Sequence, residues 1–168
     1  MKREIKLYNV LFPIWILYFF PQVWIVTVPG NLLIDCGLLL LTLAVLKHTE
    51  KRAVLKELWW KFWLLGFLAD FIGAAVLFGI WLLLSVLDLS GGAWSEIMMA
   101  YLANPFRSLP ALLLTLAGVV LAGVCIYVFD KRAMRRCALL TLREKRAVAL
   151  VMAITTAPWT FLIPLYLY

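Results

Sequence analysis

Between Leu7 and Leu46 the chain runs forty residues with a single charged side chain, Asp35. A helix crossing the hydrocarbon core, about 30 Å thick, needs about 20 apolar residues at about 1.5 Å of rise each. The run is therefore twice a span long, and Pro29-Gly30-Asn31 in its middle is a turn signal. It predicts a hairpin of two helices over about 8–28 and 31–47. Apolar segments at about 62–87, 109–129 and 147–166 add three more spans. Over the whole chain 65% of residues are apolar, against about 45–50% in soluble domains. The expected fold class is all-α: a polytopic transmembrane helix bundle of about five spans, with residues 1–168 forming one transmembrane domain. Five spans leave only short connectors and exclude a separate soluble catalytic domain.

A basic tail ahead of an apolar run also describes a signal peptide. Pro13, Pro21, bulky Trp15, Phe19, Phe20 and Trp24, and the lack of an Ala-x-Ala-like site before Asn31, argue for a retained span.

Orientation follows from the cations. With five spans and the N-terminus cytoplasmic, fifteen of the sixteen Lys and Arg fall on the inner side, in the tail, in 47–61 and in 131–146; Arg107 alone lies outside. This is the positive-inside bias, and it puts the C-terminus outside and the chain in the cytoplasmic (plasma) membrane as a multi-pass protein. The net charge of +7 is explained by these clusters and by anionic lipid headgroups, so nucleic acid is not an expected partner. Arg132, Arg135, Arg136 and Arg143 are the expected contacts to headgroups or a partner. Among them Met134, Cys137, Ala138 and Leu142 suggest an interfacial amphipathic helix. Val54, Leu55, Leu58, Trp59 and Phe62 recur at helical spacing, predicting a surface helix that leads into the third span. The piece from Trp94 to Ala103 is too short to cross and reads as an interfacial or re-entrant helix.

Asp35 and Asp70 fall inside spans, where a charge costs about 2.5–3.5 kcal/mol on insertion scales. Counted from Lys47 and Lys61, they lie about 18 and 13.5 Å deep at 1.5 Å per residue, so antiparallel neighbours would bring them to similar depth. Asn31, Asp35 and Thr42 share one helix face; Gly66, Asp70, Gly73 and Ala74 share another, small enough for close helix approach. Paired carboxylates share a proton or hold a cation, which predicts an ion or proton site at Asp35, Asp70, Asn31 and Thr42. Thr156 and Thr160 beside a kinking Pro158, with Gln22 of the first span, are candidates to line a pathway.

Cys36, Cys125 and Cys137 show no CxxC spacing, and the chain has one histidine, His48; no metal or cofactor is expected. The leading expectation is a small proton- or cation-coupled transporter or channel, acting as a homo-oligomer or with a membrane partner protein. The alternative is a non-catalytic accessory, assembly or immunity-type subunit. A di-aspartyl intramembrane enzyme is opposed by the residues before Asp70: intramembrane aspartyl proteases carry Gly-x-Gly-Asp, and here Ala69 precedes the Asp.

Overall fold

A computed structural model describes residues 19–86 and 93–164. Among them the chain is helical, without a strand, and three helices are long and apolar enough to cross a membrane: Trp24–Val45, Lys51–Val86 and Leu109–Arg136.

Helix α1, Pro21–Val45, starts with Pro21 in its first turn, where a missing N–H costs nothing because it would have no intrahelical partner. It continues through Pro29. The turn expected at Pro29-Gly30-Asn31 is therefore corrected: residues 21–28, assigned to a first span, belong to the same helix as 31–45. Pro29 can give no N–H to the Ile25 carbonyl, but tertiary contact holds the helix there, because Trp63 Nε1 donates to the Val28 carbonyl at 2.8 Å. The remainder of the expected first span, 8–18, lies outside the described residues. At its other end α1 closes with His48 N–H on Leu43 O (2.9 Å) and Lys47 N–H on Ala44 O (3.0 Å), the paired bonds of a Schellman ending. Lys47 takes the left-handed position, φ 55°.

Helix α2, Lys51–Val86, is one continuous element of 36 residues, about 54 Å at 1.5 Å per residue. The expected surface helix before the third span is thus part of it. Most of its apolar side is covered by protein, although Trp59 is 40% exposed. Val54, Leu58 and Phe62 are buried in a cluster with Leu39, Leu43, Met134 and Leu140. Helix α3, Ala93–Ala103, is the short piece expected between spans, and it tucks onto α2: Tyr101 is buried and donates its hydroxyl to Leu77 O at 2.7 Å.

Helix α4, Leu109–Ala133, lies against α2, α3 and α5. Its inward face carries Ala111, Thr115, Gly118, Val119, Ala122, Ile126 and Asp130 at spacings of three, four and seven. The approach to α2 is close at Gly73, where an added Cβ would stand 3.1 Å from Ala122 Cβ and 3.2 Å from Gly118 O; small residues allow that closeness. A short 3-10 turn, Met134–Arg136, follows α4, and helix α5, Leu142–Thr155, opens with a capping box between Thr141 and Glu144. No separate amphipathic helix occupies 131–146; its apolar residues Met134, Cys137 and Leu140 are buried against α2.

The expected last span is also corrected. α5 stops after 14 residues and the chain resumes as a 3-10 turn at Trp159–Leu162. Pro158 lacks an N–H and disfavours the α conformation at Ala157. The released end is closed locally: the Thr155 and Thr156 hydroxyls donate to Val151 O and Met152 O, and Trp159 Nε1 to Ile154 O.

Two apolar clusters result. One surrounds Leu43, Leu58, Ala69, Ile126 and Met152; the other surrounds Ala74, Leu77, Tyr101, Val119 and Phe161. The basic connectors 46–50 and 134–141 meet at the end of the first cluster, where His48 Nδ1 donates to Glu144 Oε1 at 2.9 Å.

Candidate functional site

A cavity of about 240 Å³ lies where the two clusters part. Its walls come from Asn31, Ile34 and Asp35 on α1, Gly66 and Asp70 on α2, and Thr155 to Thr160 at the break after α5. On α2, Ala69 belongs to one cluster and Ala74 to the other, and Asp70 falls between. At the end of α5 the same holds for Ala153 and, just beyond the helix, Ala157, with Thr155 and Thr156 between. The polar residues thus form one layer across the bundle.

Each wall has a local cause. Asp35 lies one turn from Leu39 on the buried side of α1 and is 5% exposed. Its carboxylate rests over the α2 backbone, since a Cβ placed on Gly66 would sit 3.4 Å from Asp35 Oδ2. Asp70, also 5% exposed, is one turn further along α2. Pro158 turns the chain across the top of α5, so the carbonyl end of that helix, the negative end of its dipole, borders the cavity. Two carboxylates, an amide, three hydroxyls and a helix C-terminus make an oxygen-rich, electronegative surface. Such a surface attracts hard cations and protons and repels anions. Among the described residues no group of three or more His, Cys, Asp or Glu is placed to hold a metal ion.

Of the residues expected from sequence, Asp35, Asp70, Asn31, Thr156 and Thr160 come together here. Thr42 and Gln22 do not. Thr42 is nearly two turns from Asp35 and donates its hydroxyl to Leu38 O at 2.7 Å within its own helix. Gln22 is exposed in the first turn of α1. Arg132 and Arg135 line a second cavity, of about 400 Å³, with Lys131, Lys145 and Arg146; Arg136 and Arg143 are exposed outside its walls.

Asp130 was not anticipated as a buried group. It is 1% exposed, and its Oδ1 has no hydrogen-bond partner among the described residues. Adjacency to Lys131-Arg132 disguises it as a boundary residue, but it continues the series Thr115, Val119, Ala122, Ile126, and that register was the available signal.

At the basic end, Glu144 accepts from the Thr141 N–H and hydroxyl, both at 2.8 Å, and from His48. The Thr141 backbone, then its hydroxyl, then His48 hold the Glu144 carboxyl below its ordinary value, at about 2. Comparison with protein-family models, curated proteins and solved structures returned no match.

Proposed function

We propose that the protein passes a proton or a monovalent cation across a membrane by way of the Asp35 and Asp70 cavity. The observation that carries this reading is the shared cavity itself, lined by both carboxylates and by the carbonyl end of a helix broken at Pro158. Broken helices whose C-terminal ends face an ion are a recurrent way to build a cation site within a membrane. Asp130, on α4 toward the basic end, is a third buried carboxylate. In this reading the connectors 46–50 and 134–141, which carry or adjoin most of the cations, face the cytoplasm. α1, α2 and α4 cross as whole helices, and α5 with the Trp159–Leu162 turn crosses as a broken one.

Proteoliposomes carrying the full chain test this. An imposed pH or cation gradient should dissipate with wild-type protein and persist with Asp35→Asn or Asp70→Asn, while the variants keep the wild-type melting temperature. A silent wild type, or undiminished flux in both variants, overturns the proposal. A silent wild type whose Asn variants lose stability would assign the layer to helix packing, as in an accessory or assembly subunit.

A further inference from the structure

The basic cavity at the ends of α4 and α5 does not stand alone. Lys131, Arg132 and Arg135 come from the last turns of α4 and the turn after it, and Lys145 and Arg146 from the first turns of α5. Lys145 Nζ donates to Arg135 O at 3.5 Å, joining the two walls. Among the described residues no carboxylate lines it. Beside it runs a second, apolar cavity of about 350 Å³, walled by Val120, Val124 and Tyr127 on α4, by Leu150 and Ile154 on α5, and by Trp159 beyond.

The two cavities follow one face of each helix. On α4 positions 120, 124, 128 and 131 follow at steps of four, four and three, with Tyr127 beside Val128 and Arg135 in the turn beyond, and on α5 positions 142, 146, 150 and 154 follow at steps of four. Tyr127 marks the junction: it lines the apolar cavity while Lys131 Nζ, from the basic one, lies 5.5 Å from its ring centre. The floor is made by Gly123, where an added Cβ would be 3.3 Å from Ala153 O. The eight helical rises from Val119 to Tyr127 give a groove about 12 Å long, most of the roughly 15 Å of hydrocarbon in one leaflet.

We propose that this face of α4 and α5 binds one anionic phospholipid, its phosphate among Lys131, Arg132, Arg135, Lys145 and Arg146 and an acyl chain in the groove beneath Val124 and Leu150. Five cations around one opening suit a phosphate oxyanion. The contiguous apolar groove selects lipid over a soluble anion, which would leave it empty. Val128 and Leu142, 51% and 75% exposed, also line the basic cavity. The groove adjoins the Asp35 cavity through the shared residues Ala157 and Trp159, but lipid binding there does not depend on that cavity's conducting.

The test uses the full chain in neutral detergent, with native mass spectrometry and melting temperature as readouts and three probes: phosphatidylglycerol, phosphatidylcholine and inorganic phosphate. Phosphatidylglycerol should bind one to one and raise the melting temperature, phosphatidylcholine should bind more weakly, and inorganic phosphate should do neither. Arg132→Gln and Arg146→Gln should each weaken phosphatidylglycerol about fivefold. Val124→Trp, at a position 53% exposed, should displace the lipid with every cation in place. Leu113→Trp, equally exposed on α4 but outside the groove, should bind as wild type does. Equal binding of phosphatidylcholine, an equal shift with inorganic phosphate, or full binding by Val124→Trp overturns the proposal.

Discussion

The crossing of α2 and α4 offers a test in which the sign of one substitution reverses. A Cβ on Gly118 would stand 2.7 Å from Leu77 Cγ and Cδ2, 0.7 Å inside the 3.4 Å at which ordinary contact begins. Leu77 cannot easily give way, because it is fully buried among Ala74, Tyr101, Ala111, Val119 and Phe161. Gly118→Ala therefore gains about 1 kcal/mol of helix propensity but incurs an overpacking cost of about 1–3 kcal/mol, for a net loss of about 0–2 kcal/mol. Leu77→Ala removes the atoms that clash and by itself costs about 2–5 kcal/mol through the space it leaves. Adding Gly118→Ala to Leu77→Ala should then stabilise, by up to about 1 kcal/mol. The coupling energy from the four proteins, read by thermal or denaturant unfolding in one detergent, should be about 1–3 kcal/mol. Additive effects, or a Gly118→Ala that is equally benign in both backgrounds, would refute the close approach of these helices.

Three further outcomes follow from local geometry. Thr141→Ala removes the hydroxyl half of the capping box and should destabilise by about 1 kcal/mol in a melting assay. Glu144 is held below its ordinary 4.5, at about 2, so its contribution is complete above 4.5 and fades as pH falls toward 2. Wild type should accordingly exceed Glu144→Gln by a constant margin near neutral pH, and that margin should shrink only across this acid window. Lys47→Gly places the residue suited to φ 55° at the end of α1, and should stabilise by about 1 kcal/mol with no change in helix content by circular dichroism.

Much of this architecture was legible because hydrophobic length and helical register are local properties. The all-helical class, the short helix beginning near Trp94, the start of α4 at Leu109 and the inward faces bearing Asp35 and Asp70 all follow from the order of residues. The proline-containing elements did not follow. Pro29 and Pro158 look alike as interruptions of apolar runs, yet α1 continues through the first and α5 ends before the second. Trp63 reaches across from α2 to the Val28 carbonyl beside Pro29, whereas beyond Thr155 the chain closes on itself through Trp159. Sequence alone cannot rank those partners, since one pair is separated by 35 residues. The polar layer has the same origin. Composition and periodicity could nominate Asp35, Asp70, Asn31, Thr156 and Thr160, but equally Thr42 and Gln22, and they passed over Asp130. Only the packing of α1, α2 and the end of α5 decided which polar groups share a cavity, because burial depends on what the neighbouring helices cover.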